Sequence, residues 1–209
     1  LVKEGKVIKS QCVAFSEDGV NFEKFIGNPV VPPTDLVESD PKVWKYKDKW
    51  YMIVGGELDK KGRAILYVSD NLTKWELFGT ILESDGSLGA MWECPDLFHV
   101  DGYDILVIGP MHLNEQKCTY LVGNMDYENC RFEPEITGEV DFGFDYYAPQ
   151  SFEAPQGRRL QFAWANAWDW MPWWKGFGKT VHLYLYKSQM RSCVHIFRSF
   201  CAGCKTSIG

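Results

Sequence analysis

The sequence predicts an all-β protein built as an incomplete β-propeller. Three observations lead to this prediction. No stretch of the 209 residues keeps a helical apolar period of about 3.6 residues beyond two turns. Prolines recur at a fixed spacing of 54 residues, at Pro41, Pro95 and Pro149. Each of these prolines opens a segment that reads as a strand, a tight turn and a second strand.

The elements of the repeat follow in order along each unit. The tight turns fall at Lys47-Asp48, Asp101-Gly102 and Gln156-Gly157, where the residue types favour a reversal of the chain. The rest of the unit repeats as well, since residues 13–22 resemble residues 66–75 and residues 120–132 form a looser copy. Each of these copies predicts a strand, a polar turn and an aromatic residue that begins another strand.

Four strands in a repeat of this length are typical of a β-propeller blade. A β-sandwich also has short, evenly spaced strands and is the alternative, but it gives no reason for a proline at a fixed interval. Residues 41–94 and 95–148 form two blades, a third begins at residue 149, and residues 1–40 supply outer strands of a preceding one. Residues 1–178 are therefore expected to hold about three to three and a half blades, whereas a closed propeller needs about four or more.

The composition of the chain restricts the classes of partner that we expect it to bind. The net charge of −6 argues against a nucleic-acid partner, which selects for excess Lys and Arg. No apolar run reaches the roughly 18 residues of a membrane span, so no membrane partner is expected. Aromatic residues make up 15% of the chain, and their flat faces suit stacking on sugars. The partner predicted from these features is a small-molecule carbohydrate.

The last part of the chain differs from the rest. No Asp or Glu follows Asp169, and we expect residues 179–209 to be an atypical tail that is non-native or disordered. Cys193, His195 and the Cys201-Ala-Gly-Cys204 motif are the only group with zinc-ligand character, but a second pair at regular spacing is missing. We therefore predict no metal site and no cofactor. The compartment is open, with the cytoplasm as the default expectation.

Candidate site residues lie directly before the repeated prolines. In a propeller the first strand of every blade lines the central channel, so these residues converge on one mouth. They are Ser39 and Asp40, then Trp92 and Glu93, then Asp145 and Tyr147. Carboxylates can supply acid, base and hydroxyl-binding groups for a sugar, and aromatic faces can stack on its ring. An Asp before Pro is also common as a plain turn residue, whereas Glu93 between Trp92 and Cys94 is harder to explain in that way.

These segments carry a family resemblance. Trp92-Glu93-Cys94-Pro95-Asp96-Leu97-Phe98 resembles the Glu-Cys-Pro-Asp motif of glycoside hydrolase family 32, the β-fructofuranosidases. Asp40-Pro41-Lys42-Val43-Trp44 resembles the Arg-Asp-Pro segment of that family, and residues 141–152 and 157–160 resemble the part that follows. The resemblance runs from about residue 10 to 178 and implies a five-bladed propeller, of which this chain would be a part.

The resemblance also implies roles in a retaining hydrolysis of β-fructosides such as sucrose, sucrose 6-phosphate or fructans. Glu93 matches the acid/base and Asp40 matches the residue that stabilises the transition state. Ser39, Trp92, Asp145, Tyr147 and Trp164 are the substrate-binding candidates, although Trp164 also suits the core.

Two departures from the family pattern qualify this reading. The Asn-Asp-Pro-Asn-Gly motif that carries the family's nucleophile does not occur in the chain, so we expect these residues to be inactive alone. Ser39 stands where the family has Arg, and a serine cannot fork onto two hydroxyls. Two alternatives therefore stay open: a non-catalytic carbohydrate-binding propeller, and a related five-bladed glycosidase or phosphorylase with another sugar specificity.

Overall fold

The computed structural model of the chain describes residues 2–3, 6–34, 38–113, 118–143 and 146–164. Every regular element in these ranges is a β-strand, apart from one short 3-10 turn at Pro155–Gly157. Four two-residue strands come first: β1 (Val2–Lys3), β2 (Lys6–Val7), β3 (Ala14–Phe15) and β4 (Glu23–Lys24). The longer strands are β5 (Ser39–Tyr46), β6 (Lys49–Leu58), β7 (Lys61–Ser69), β8 (Glu76–Glu83), β9 (Met91–Val100), β10 (Tyr103–Met111), β11 (Thr119–Asp126), β12 (Arg131–Glu139), β13 (Tyr147–Ala154) and β14 (Arg158–Trp164).

The longer strands form blades in the order that the repeat predicts. Strands β5 to β8 make one antiparallel four-stranded sheet, and β9 to β12 make a second. Strands β13 and β14 pair as the start of a third blade, and β3 pairs with β4 ahead of the first. The predicted all-β, partial-propeller architecture is confirmed. Within each sheet, every strand is hydrogen-bonded to its neighbour in sequence because short turns connect them.

Each blade has two apolar faces, and each face packs on a different neighbour. In β6, Tyr51 and Ile53 belong to a core shared with the blade β9–β12, whereas Met52 and Val54 belong to a core that includes Val31. Successive side chains of a strand point to opposite faces, so a strand covered on both sides reads as a continuous apolar run. The run from Tyr51 to Val54 is buried for this reason.

Strand β10 shows the same division one blade further on. Leu106 and Ile108 face the blade β5–β8, whereas Ile105 and Val107 face β13 and β14. The blades therefore stack on one another through apolar cores on both sides. This stacking brings their first strands, β5, β9 and β13, side by side.

A β-bulge recurs at the same place in these first strands. Two residues of each strand lie opposite a single residue of the partner strand, namely Asp40-Pro41, Cys94-Pro95 and Ala148-Pro149. The residue before each proline has a positive φ, of 58° at Asp40, 47° at Cys94 and 50° at Ala148. Such a conformation is unfavourable for residues other than glycine, and bulges of this kind redirect side chains next to functional sites.

Two predictions lie outside the described residues, namely the atypical tail at 179–209 and the position of Asp145. Within the described ranges, no helix has the length and apolar character needed to cross a membrane.

Candidate active site

Asp40 lies at the bulge of β5 and reaches across to the next blade. Its Oδ2 accepts a hydrogen bond from the Cys94 backbone N–H at 3.1 Å and lies 3.5 Å from the Cys94 Sγ. The side chain is otherwise exposed. It borders an open cleft of about 240 Å³ whose other lining residues are Ile8, Lys9, Ser10, Gln11, Glu38 and Ser39. The bulge therefore leaves a carboxylate facing solvent while it is tethered to the neighbouring strand.

Glu93 lies directly before the equivalent bulge of β9, which is formed by Cys94 and Pro95. It is partly buried, and its Oε2 accepts a hydrogen bond from the Tyr147 hydroxyl at 2.9 Å. Tyr147 stands on β13 and is almost completely buried, with its hydroxyl also 2.9 Å from the Met111 Sδ. Three consecutive blades thus contribute Asp40, Glu93 and Tyr147 to one place. We call these three residues the first layer.

The thiol of Cys94 lies between the two carboxylates. Burial raises the pKa of this thiol, and the negative charges of Asp40 and Glu93 raise it further. A thiol held in its neutral form is a weak nucleophile. Cys94 therefore serves as a neutral spacer between the carboxylates rather than as a reactive group.

Behind Asp40 lies a buried carboxyl, Glu38. Its two oxygens each lie 2.8 Å from the hydroxyl of Tyr67, which stands on β7. Desolvation raises the pKa of Glu38, an effect that the hydrogen bond from Tyr67 opposes. This pair anchors the start of β5 to the middle of its own blade.

The structure corrects one predicted site residue, Trp92. Its side chain is fully buried, and the indole N–H donates to the carbonyl of Leu88 at 2.7 Å. A Cβ on Gly62 would lie 2.3 Å from the indole ring, and a Cβ on Gly55 would lie 2.1 Å from the Trp92 carbonyl oxygen. The two glycines make room for Trp92 in the core between blades, so its ring is not a surface on which a sugar could stack.

The other predicted binding residues are placed as follows. Ser39 pairs with Gly55 in the sheet, and its buried Oγ has no hydrogen-bond partner among the described residues. Trp164 is paired with Tyr147 across β13 and β14, and it packs partly buried against the core that contains Tyr147. Ser39 therefore lies in the same strand position as Glu93 and Tyr147, whereas Trp164 supports Tyr147 from the side.

Sequence reasoning missed three polar residues that directly follow the repeated prolines: Lys42, Asp96 and Gln150. We call them the second layer. The Lys42 Nζ lies 3.3 Å from Asp96 Oδ1 and 3.5 Å from Gln150 Oε1, so the layer joins three blades. The signal was present in the sequence, because these positions repeat at the same 54-residue spacing as the prolines. Over the ranges that the structure describes, no group of three or more His, Cys, Asp or Glu side chains could hold a metal ion.

Comparison with known proteins gives a family match and several relatives. The model of the glycosyl hydrolases family 32 N-terminal domain matches residues 2–183. The sucrose-6-phosphate hydrolase of Bacillus subtilis is 40% identical over 168 residues, which are 74% of this chain and 35% of that enzyme. The raffinose invertase of Escherichia coli is 34% identical over 169 residues, with 76% of this chain and 35% of that protein covered. The chain thus spans about a third of the length of these curated relatives.

Two solved structures are also similar to this chain. A GH32 beta-fructofuranosidase mutant of Bombyx mori, solved in complex with sucrose, matches with a TM-score of 0.70 at 39% identity, covering 77% of this chain and 37% of that one. The sucrose-6-phosphate hydrolase of Lactobacillus gasseri matches with a TM-score of 0.71 at 27% identity, covering 78% and 36%.

Proposed function

The chain belongs to glycosyl hydrolases family 32, and on this premise we propose that its blades form part of the active site of a retaining hydrolase of β-fructosides. The observation that carries the proposal is the convergence of Asp40, Glu93 and Tyr147. They come from adjacent positions, one or two residues before the repeated proline, in three consecutive blades. Asp40 accepts a hydrogen bond from the Cys94 N–H, and Tyr147 donates one to Glu93.

Glu93 is the acid/base in this proposal. As an acid it protonates the glycosidic oxygen while the bond to the fructosyl carbon breaks, and as a base it later takes a proton from the attacking water. The Tyr147 hydroxyl holds one carboxyl oxygen, Oε2, which leaves Oε1 to face the substrate. A buried donor of this kind fixes the direction of the carboxyl group without blocking it.

Asp40 stabilises the transition state in this proposal. Its exposed carboxylate can accept hydrogen bonds from two fructosyl hydroxyls, which strengthen as positive charge develops on the sugar ring. The Cys94 N–H occupies only one of its oxygens, Oδ2. The carboxylate that attacks the fructosyl carbon corresponds to the family motif absent from residues 1–209, so the covalent step needs a further segment.

The names of the relatives point to sucrose and sucrose 6-phosphate as substrates. The Bacillus subtilis and Lactobacillus gasseri proteins are named as sucrose-6-phosphate hydrolases, and the Bombyx mori protein was solved with sucrose. Both sugars present the same β-fructosyl group to the first layer. Fructans present it as well and are the third class to test.

The experiment is a chimaera in which this chain's residues replace the matching segment of the Bacillus subtilis enzyme. Fructose release is measured with sucrose, sucrose 6-phosphate and inulin, with maltose as the substrate that lacks fructose. The blank is the same chimaera carrying Asp40→Asn and Glu93→Gln together. We expect hydrolysis of at least one β-fructoside by the chimaera and none by the blank or by residues 1–209 alone. A folded chimaera that matches its blank on every β-fructoside would contradict the proposal.

Ser39 favours one second candidate, a related glycosidase for another sugar. The short hydroxyl cannot replace the two-pronged hydrogen bonding of an arginine to fructosyl hydroxyls. If fructosides are the substrates, Ser39→Arg in the chimaera should lower KM for them. If KM for fructosides stays the same and another glycoside is cleaved faster, the second candidate is favoured.

A further inference from the structure

The second layer lies next to the first along the same three strands. Lys42, Asp96 and Gln150 follow Pro41, Pro95 and Pro149, so each comes directly after a bulge that aims a first-layer residue. A repeated position normally carries apolar residues when its task is packing, as β6 and β10 show. Polar residues at this position in all three blades therefore need another explanation.

The contacts of Asp96 are shared between three blades. Its side chain is completely buried; Oδ1 lies 3.3 Å from the Lys42 Nζ, and Oδ2 accepts the Ser151 backbone N–H at 2.6 Å. The Lys42 ammonium also donates to the Ser151 carbonyl. A buried carboxylate that lost its cation would be strongly unfavourable, so this arrangement admits little change in spacing between β5, β9 and β13.

Gln150 connects the same group to the bulge that aims Glu93. Its Nε2 donates to the carbonyls of Cys94, at 3.2 Å, and of Pro95, at 3.4 Å. Its Oε1 lies 3.5 Å from the Lys42 Nζ. The amide side chain of Gln150 on β13 therefore holds the backbone of the preceding blade at Cys94, which has a positive φ and contacts Asp40.

We propose that Lys42, Asp96 and Gln150 are positioning residues that fix Asp40 and the Glu93 bulge relative to each other. The inference rests on the proposed function for its meaning, since the groups held in place are the acid/base and the stabiliser. Its structural part can be tested without turnover. When the Lys42–Asp96 pair is removed, the Asp40–Cys94 contact should loosen while the apolar core between the blades stays packed.

The test measures thiol alkylation on the full chain, with each cysteine followed by peptide mass spectrometry. Cys94 reports the first layer, and the buried Cys118 reports the fold as a whole. The variants are Asp96→Asn and the double variant Lys42→Met/Asp96→Asn, in which neither member of the Lys42–Asp96 pair is left as a lone charge and the acceptor for Ser151 remains. The matched control is Lys49→Met, which breaks an exposed ion pair with Asp70. Lys42→Arg is the conservative variant.

We expect the double variant to raise the alkylation rate of Cys94 about tenfold while Cys118 stays protected. Lys49→Met should leave both alkylation rates unchanged. Lys42→Arg keeps the positive charge, so Cys94 should keep most of its protection. The inference is overturned if Cys94 reacts within twofold of the unchanged chain, or if both cysteines gain the same factor. If the single variant Asp96→Asn also exposes Cys118, the alkylation rates of Cys94 and Cys118 in the double variant decide the test.

A kinetic arm keeps the inference separate from the proposed function. In an active chimaera, Lys42→Met/Asp96→Asn should lower kcat about tenfold and leave KM within twofold, since the substrate contacts remain. An unchanged kcat overturns the inference. A chimaera without any hydrolytic activity contradicts the proposed function instead, and the alkylation of Cys94 then decides the inference on its own.

Discussion

The first and second layers stand at neighbouring positions of one repeat, yet their surroundings differ. Asp40 is exposed and Glu93 is partly buried, and each keeps one carboxyl oxygen clear of the contacts that bind the other. Asp96 is completely buried; its Oδ2 accepts the Ser151 N–H, and its Oδ1 forms an ion pair with Lys42 but accepts no hydrogen bond among the described residues. The same kind of side chain can therefore serve chemistry in one layer and hold strands together in the next.

The difference teaches how a repeat divides its tasks. The bulge at each proline separates the first layer, which brings Asp40, Glu93 and Tyr147 together, from the second layer, which joins the blades. A carboxylate that must exchange protons or hold a sugar needs free lone pairs. A carboxylate that fixes strand spacing needs partners on the strands that it joins, as Asp96 has in Lys42 of β5 and Ser151 of β13. Substitutions in the two layers should thus separate activity from stability.

Among the substitutions that compare the two layers, Asp40→Asn in an active chimaera is expected to have the largest effect on turnover. The amide keeps the shape of the side chain and removes the negative charge that the transition state requires, so kcat should fall about a hundredfold or more. The unfolding midpoint should stay nearly constant, because Asp40 is exposed. Steady-state kinetics and thermal unfolding check both parts, with the exposed turn residue Asp48→Asn as the control. A large loss of stability with no loss of turnover would contradict the division.

Lys42→Met should have the opposite signature. It leaves Asp96 buried without its cation, and breaking a buried pair in this way costs about 3 kcal/mol of unfolding free energy. Lys42→Met/Asp96→Asn should lose less, because no charge stays unpaired. Denaturant unfolding of the full chain measures both variants. Equal losses for the single and the double variant would show that the charge of Asp96 does not matter.

Tyr147→Phe should have a smaller, mixed effect, since it removes the hydroxyl that donates to Glu93 and contacts Met111 but keeps the buried ring. We expect turnover of the chimaera to fall about tenfold and the unfolding free energy by about 1 kcal/mol. Tyr103→Phe, at an exposed ring, is the matched control. If the two variants behave alike in turnover, Tyr147 does not orient Glu93.

The smallest effect concerns pH and the carboxyl behind Asp40. Desolvation raises the pKa of Glu38, so between the ordinary and the raised pKa the folded chain holds a proton there that the unfolded chain releases. The stability linked to this proton is complete below the ordinary pKa of 4.5 and is lost as pH rises through the raised value. Glu38→Gln should therefore flatten the fall in the unfolding midpoint above that pH.

Glu83 offers the reverse case as a control for Glu38. The hydrogen bond from Lys61 is the main cause that lowers the pKa of Glu83, so its contribution is present above the ordinary pKa and is lost as pH falls. Glu83→Gln should flatten the acid side of the profile instead. Thermal unfolding across the pH range distinguishes the two, and identical profiles for both variants would contradict the assignment.

Much of this architecture could be predicted from the sequence because it repeats. Pro41, Pro95 and Pro149 fix the period, the turn residues fix the strand ends, and the apolar runs require two covered faces. The same prolines point to Asp40 and Glu93, which lie one and two residues before them. Equivalent positions in consecutive blades meet at one channel mouth whatever the rest of the sequence is.

What the sequence could not predict depends on contacts between distant strands. Trp92 reads as a sugar-stacking residue in its own segment, but Gly55 and Gly62 of the preceding blade open a space in the core that its indole fills. The pairing of Lys42 with Asp96 likewise becomes visible only when two blades are stacked. The alternation of residues along a strand predicts the face of the sheet on which a side chain lies. The packing of neighbouring blades determines which residues that side chain contacts.

The central claim is that Glu93 is the acid/base, and one comparison tests it most directly. The values of kcat/KM for sucrose 6-phosphate are measured on the chimaera with Glu93→Gln and with Glu128→Gln, an exposed glutamate in a turn. The account predicts a loss of about a thousandfold for Glu93→Gln and a value within twofold of the parent for Glu128→Gln, at the same unfolding midpoint. A folded Glu93→Gln chimaera that retains a tenth or more of the parent activity would contradict it.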